Sequence, residues 1–251
     1  MMPKVFLVVP SYGHYDYVYE TVRSAFECTP DISVCIFDDA TPPELAPSPE
    51  FWDNWNQFDH TRTGFVTFDK NGGLTRSWNA GLQLARQGKF DYAICGNSDL
   101  IFSPGWWEPI QKALDDGWAL AGPVSNAAGT TIGCRQGILN YLPDYKVSDQ
   151  TKDIEETSAR LKAKGDPINS PLNGFCLCAK TATWWDNAFD ADHVFDPQYK
   201  MTLNEDRLQK RWRAKGLKFC VVPTSFVLHY RSVTRGTRYV QGQWLRKGEI
   251  S

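Results

Sequence analysis

A chain of 251 residues, 42% hydrophobic and 22% charged, has room for a sizeable globular core in one large domain. No apolar run approaches the about 18 residues of a spanning helix; seven cysteines without a C-x-x-C pair, beside four histidines, argue against disulfide staples and structural zinc, so a soluble, cytoplasmic protein with reduced core thiols is expected. The formal charge of −2 conceals an asymmetry, since residues 207–251 hold eleven Lys or Arg against one acid, Glu249; that tail is either a solvated basic face or the place for an anionic ligand.

The first half alternates strand and helix patterns. Lys4–Val9 is nearly all apolar, as in a strand buried on both faces, and Pro10-Ser11-Tyr12-Gly13 stops it. Tyr17–Phe26 has helical spacing, Ser33–Phe37 is a second strand ending in Asp38-Asp39, and residues 44–60 predict a loop with at most a short helix. Phe65–Phe68 predicts a third strand. The turn Asn71-Gly72-Gly73 then opens a helix over Leu74–Arg86, a geometry suited to close approach by phosphate or ribose, though without P-loop or G-x-G-x-x-G spacing. Tyr92–Cys95 is a further buried strand leading into Asn97-Ser98-Asp99, where the carboxylate reads either as a turn cap or as a cation or substrate ligand.

Trp106–Leu114 predicts a helix and Ala119–Val124 a strand. Residues 127–170 are polar and weakly patterned, a lid or a decorated surface, with a helix over Ile154–Lys164. Asn173–Ala179 resumes a strand of small residues. Glu205-Asp206 opens a basic helix that Gly216 ends, followed by a core strand at Lys218–Val222 and an extended segment at Phe226–Tyr230 containing His229. Without a linker or a repeat, the chain reads as one α/β domain in two functional halves, about 1–125 and 126–251.

The acids and His229 thus fall at strand ends or helix starts. Asp99, His229 and a diphosphate would together suit Mg²⁺ or Mn²⁺, although a hydrogen-bonded core histidine is the competing reading of His229. Acids in a first helical turn favour the helix dipole and stay ionised, which serves stability alone or a general base.

The order of these segments carries more. Val8-Val9-Pro10-Ser11-Tyr12, Asp38-Asp39-Ala40-Thr41, Asn71-Gly72-Gly73 with Asn79-Ala80-Gly81, Asn97-Ser98-Asp99 with Pro104-Gly105-Trp106, Gly174-Phe175, and Glu205-Asp206 with Arg211 and Gly216 together resemble the family 2 glycosyltransferases of GT-A fold, especially the rhamnosyltransferase-like branch. The resemblance spans about residues 4–232. It implies a Rossmann-like, mostly parallel sheet flanked by helices. It also implies transfer of a sugar, with inversion, from a UDP-, dTDP- or GDP-linked donor to a glycan or other hydroxyl acceptor. By that likeness Pro10, Ser11, Tyr12 and Asp39 hold the nucleoside with Asp38 nearby, and Asn71 and Gly73 flank the nucleotide. Asp99 takes the place of the second acid of a D-x-D motif whose first acid is Asn97 here, with Ser98 between, and His229 completes the metal site. Asp206 would be the general base and Glu205 would orient base or acceptor.

A different class competes. Trp212, Tyr230, Tyr239 and Trp244 interleaved with the tail's basic residues would suit a non-catalytic sugar or nucleic-acid binding module, or a transferase acting on a modified DNA base; the overall charge argues against nucleic acid.

Overall fold

The computed structural model describes residues 3–129, 131–146 and 154–230, and the backbone of 237–240 and 243–246. Arg231 and Arg235 of the basic tail lie outside the described residues, as do the side chains of Arg238, Tyr239 and Trp244.

The first half contains β1 (Val5–Ser11), α1 (Tyr15–Cys28), β2 (Ile32–Asp38), α2 (Pro49–Trp55), β3 (Thr63–Thr67), α3 (Leu74–Gln87), β4 (Tyr92–Gly96), β5 (Leu100–Phe102), α4 (Trp107–Asp115) and β6 (Leu120–Val124). The second contains α5 (Ile154–Leu161), β7 (Ile168–Asn169), β8 (Cys176–Lys180), α6 (Thr181–Asp186), α7 (Asn204–Ala214) and β9 (Phe219–His229), then a hairpin of β10 (Thr237–Val240) and β11 (Gln243–Arg246). One sheet runs through both halves in the order β3-β2-β1-β4-β8-β6-β9-β5, with β7 paired to β9. β8, β5 and β7 run against the other six strands, so the sheet is mixed but mostly parallel.

The continuous apolar run of β1 follows from burial on both faces. Val5, Leu7 and Val9 pack in the layer that holds Val18, Val22 and Ala25 of α1; Phe6 and Val8 pack in the opposite layer with Trp78, Leu82 and Ala85 of α3. The chain steps outward from β1 to β2 to β3, then returns to lay β4 on the other side of β1. Such a reversal opens a crevice outside the carboxyl ends of β1 and β4, where ligands of open α/β sheets bind.

The short helix allowed for within residues 44–60 is present and capped: Ser48 Oγ accepts from the Phe51 N–H at 3.2 Å and Pro49 sits at the first helical position. Other elements differ from the sequence expectation. Lys218–Val222 and Phe226–Tyr230 are largely one strand, β9, because a register shift against β6 absorbs Pro223, Thr224 and Ser225. β5 is a three-residue strand that the sequence does not announce.

The free edge of β5 is closed by α1. Thr21 Oγ1 donates to the Leu100 carbonyl and accepts from the Leu100 N–H, both at 2.9 Å, while Ser24 Oγ accepts from the Phe102 N–H at 3.1 Å. Cys28 Sγ donates to the Phe102 carbonyl at 3.3 Å. All seven cysteines are free, and no helix among the described residues is long and apolar enough to cross a membrane.

The contact of α3 with β1 depends on Gly81, where an added Cβ would lie 2.3 Å from Cγ1 of Val8. Alanine is the better helix former by about 1 kcal/mol, but overpacking a filled core costs about 1–3 kcal/mol. Gly81→Ala is therefore expected to lower the midpoint of urea unfolding; an unchanged or higher midpoint would show that the α3–β1 contact is looser than described.

Candidate active site

The crevice is built from strand ends. The antiparallel register of β5 on β9 sets Leu100 opposite His229, and the Tyr230 N–H donates to the Asp99 carbonyl at 3.0 Å, which brings Asp99 and His229 side by side. Both are buried, and Asp99 Oδ1 lies 3.2 Å from His229 Nε2. Asn126 fixes the histidine backbone from both sides: its Oδ1 accepts from the His229 N–H at 2.8 Å and its Nδ2 donates to the His229 carbonyl at 3.1 Å.

The imidazole is oriented as tightly. Its Nδ1 lies 3.0 Å from the Ala127 carbonyl oxygen, which can only accept, so Nδ1 carries the proton. Phe175 stacks on the ring at 5.3 Å between centroids. Nε2 then faces the Asn97 amide nitrogen at 3.2 Å and the Asp99 carboxylate. A neutral ring would present a lone pair to an acceptor-only oxygen; a proton on Nε2, or a cation shared by nitrogen and oxygen, relieves that. A histidine whose other nitrogen is anchored on a carbonyl is the usual form of a metal-binding imidazole. The pair fits a divalent ion that accepts oxygen with one nitrogen. Among the described residues no group of three or more His, Cys, Asp or Glu forms a complete protein cage.

A second cluster joins β2 to α3. The buried Asp39 carboxylate accepts from the Gly72 N–H at 3.0 Å (Oδ1), from the Gly73 N–H at 2.7 Å (Oδ2) and from Arg76 Nη2. The Arg76 guanidinium lies over the Phe68 ring at 3.9 Å. The next amides at this helix start are also engaged, Leu74 with Met201 Sδ at 3.3 Å and Thr75 with the Lys200 carbonyl at 3.0 Å. The N–H groups that sequence reasoning offered to a phosphate are thus hydrogen-bonded inside the chain, with Asp39 as the resident anion. Gly73 has φ 84°, and a Cβ there would lie 2.6 Å from the Lys200 carbonyl oxygen, so glycine is required for this closure.

Pro10, Ser11 and Tyr12 close β1; Ser11 Oγ is buried with no hydrogen-bond partner among the described residues, and Tyr12 is exposed. Asp38 closes β2 and accepts from the Thr41 N–H at 3.0 Å. Asn71 Nδ2 donates to the Asp39 carbonyl at 3.3 Å, and Asn97 and Ser98 stand half-buried before Asp99.

The acids of α7 face two surroundings. Glu205 packs on Gly174, where an added Cβ would lie 3.0 Å from Glu205 Cδ, and Gly174 precedes the Phe175 that covers His229. Burial raises the Glu205 carboxyl above its ordinary value, the charge of Asp206 adds to this, and hydrogen bonds from its own N–H and that of Gly174 oppose it. Asp206 lines an open cleft of ≈ 640 Å³ with Gln209, Lys210 and Arg213 of α7 and with Thr131, Ile132 and Pro171. The helix start is tied to the first half by Asn204 Nδ2, which donates to Thr75 Oγ1 at 3.0 Å.

Asn126, Arg76 and Gln209 were not among the residues expected at the site, and Phe175 was expected only as part of the Gly174-Phe175 motif, without a role. Asn126 carried the one usable signal, a lone amide directly after an apolar strand. The others act through contacts between segments far apart in the chain.

Residues 6–175, more than half of the chain, match the family described as Glycosyl transferase family 2. Solved structures resemble it at low identity, two of them as follows. GalNAc-T7, solved with UDP, GalNAc and Mn2+, has a TM-score of 0.65 and 16% identity over 91% of this chain and 44% of its own. The mannosyltransferase PcManGT from Pyrobaculum calidifontis, in complex with GDP-Man and Mn2+, has a TM-score of 0.59 and 11% identity over 91% of this chain and 57% of its own. The chain spans about half the length of these structures, and their likeness extends to the fold, a GT-A sheet flanked by helices. No curated protein sequence matches it. The family match, together with the strand-end constellation, identifies the chain as a member of glycosyl transferase family 2.

Proposed function

We propose that the protein transfers one sugar from a nucleoside-diphosphate donor to an acceptor hydroxyl with inversion, residues 1–125 chiefly binding the donor and residues 126–251 the acceptor. The observation that carries the reading is the Asp99–His229 pair at the carboxyl edge of the sheet, two potential donor atoms 3.2 Å apart from opposite halves of a family 2 chain. Asp99 and His229 would hold Mn²⁺ or Mg²⁺, which when bound would offset charge on the leaving diphosphate. The Mn2+ and nucleotide ligands of the two similar structures support the same class of donor and ion.

The residues of this chain divide the remaining work. Ser11 and Tyr12, at the end of β1, face the nucleoside, with Asp38 behind them. Asp39 keeps the Asn71–Gly73 turn closed as the wall of the nucleotide site. Asp206 takes the proton from the acceptor hydroxyl as its oxygen bonds to the anomeric carbon; the bond from that carbon to the diphosphate oxygen breaks and its electron pair leaves with the diphosphate. Glu205, held against Gly174, positions the base. The motif order resembling the rhamnosyltransferase-like branch puts dTDP-linked deoxyhexoses beside UDP- and GDP-sugars as first donors to test. Reduced thiols are in keeping with a cytoplasmic setting.

With those donors, release of nucleoside diphosphate is expected to require a divalent ion and to fall about 10²–10⁴-fold in Asp206→Asn, with a comparable loss in Asp99→Ala. Turnover that persists in both variants would remove these residues from the mechanism.

A separate outcome concerns Glu205. Because its folded-state pKa is raised, ionising it opposes folding, so its contribution to stability is present at low pH and is lost as pH rises through the folded value. Glu205→Gln is expected to unfold at higher urea than the wild type at pH 8, the gap closing as pH falls from the raised folded value to the ordinary glutamate range. Parallel curves across that range would contradict the burial of this carboxyl.

A further inference from the structure

The cleft beside Asp206 has a charge pattern that transfer to a plain hydroxyl does not require. Asp206, Lys210 and Arg213 are spaced i, i+4 and i+7 along α7 and line one open cleft of ≈ 640 Å³, a size that houses one small molecule. The helix is held in place by Gln209, whose Oε1 accepts from the Leu172 N–H at 2.8 Å and whose Nε2 donates to the Leu172 carbonyl at 2.7 Å. Neither Lys210 nor Arg213 forms an ion pair with another described residue, and the Arg213 guanidinium lies over the Phe219 ring at 5.3 Å. Ile132 is 96% exposed beside them, an apolar surface that a ring can cover.

We propose that this cleft takes a phosphorylated acceptor, a sugar or polyol phosphate whose phosphate rests on Lys210 and Arg213 while its hydroxyl meets Asp206. The inference rests on the proposed transferase reading and specifies its acceptor. The spacing supplies the ruler: at 1.5 Å per residue, Lys210 and Arg213 lie about 6 and about 10 Å along the helix from Asp206, roughly the reach from a hydroxyl across one pyranose ring to a phosphate. Arginine and lysine side by side suit phosphate oxygens, the one by a fork of N–H donors and the other as a point charge. On transfer the acceptor oxygen bonds to the anomeric carbon, its proton passes to Asp206 and the nucleoside diphosphate leaves; the acceptor phosphate is unchanged.

The test uses the whole chain, the donor panel with Mn²⁺, and acceptors in pairs that differ only in a phosphate: glucose and glucose 6-phosphate, glycerol and glycerol 3-phosphate, thymidine and thymidylate. Nucleoside diphosphate release and the glycosylated product are both followed. In at least one pair the phosphorylated member is expected to have kcat/KM higher by at least about tenfold, mostly through KM, because one charge-assisted contact is worth about that factor. That advantage should collapse toward unity in Lys210→Ala/Arg213→Ala and return in part with Lys210→Arg/Arg213→Lys. Nucleoside diphosphate release without preference for any phosphorylated member, or a preference that survives the double alanine variant, would overturn the acceptor proposal and leave the transferase reading standing. A preference for thymidylate alone, growing with oligonucleotide length, would overturn it in favour of a nucleic-acid acceptor. No release from any donor would overturn both.

Discussion

The pairing of β5 with the last residues of β9 is the constraint on which the candidate site depends. β5 has three residues and would be a marginal strand alone, yet each of its edges is occupied. Val227, Leu228 and His229 take one side, and the Thr21 and Ser24 hydroxyls and the Cys28 thiol of α1 take the other. A buried backbone group left without a partner costs about 1–3 kcal/mol, so polar side chains at i, i+3 and i+7 on an otherwise apolar helix face are what allow an edge strand to be buried there. This contact of α1, β5 and β9 fixes Asp99 and His229 at the same height. Because Asp99 precedes β5 and His229 ends β9, the sheet itself aligns the two donor atoms, and no mobile loop is needed to bring them together.

Asp39 organises the neighbouring wall by a different device. A glycine turn at a helix start gathers amide N–H groups and a partial positive charge, and in many α/β proteins a ligand anion fills that place. Here a side chain from the end of β2 fills it, seconded by Arg76 stacked on Phe68. The exchange of a ligand for a carboxylate makes the turn rigid before any donor arrives. It also leaves the amides of this turn engaged, so that in the proposed reading the charge of a donor diphosphate is met at the Asp99–His229 pair. Preorganisation of this kind reduces the ordering that binding would otherwise require.

These relations separate what the sequence discloses from what it conceals. Strands buried on both faces are legible because β1, β2 and β4 are unbroken apolar runs, and α3 is legible because Trp78, Leu82 and Ala85 recur at helical spacing. The alternation of strand and helix predicts a parallel α/β sheet, so Asp38, Asp39 and Asp99 could be placed at carboxyl ends in advance, whereas the reversal of strand order between β1 and β4 was not legible. β5 was not legible, since three residues carry no period and its stability comes from Thr21 and Ser24 on another element. The continuity of β9 was masked by Pro223, which reads as a break until a bulge against β6 accommodates it. The engagement of Asp39 with the glycine turn was equally hidden: a strand-end acid and a glycine turn more than thirty residues apart give no sign of meeting, and each separately resembles a ligand contact.

The start of α7 touches both halves of the chain. Leu203 precedes it in a left-handed conformation, φ 65°, and Asn204 bonds to Thr75 at the start of α3, so the two helix starts are knit together across the crevice. Glu205 then turns toward Gly174 and the Phe175–His229 stack, while Asp206, one residue on, turns about 100° away to the cleft with Lys210 and Arg213. Adjacent acids on a helix cannot share a face, and the structure uses that restriction. One carboxyl packs on Gly174 and is raised by desolvation, and its neighbour lines the open cleft. The geometry of consecutive helical residues thus gives two chemically similar side chains different surroundings, and links the Asp99–His229 edge of the sheet to the cleft lined by Asp206 through a single turn.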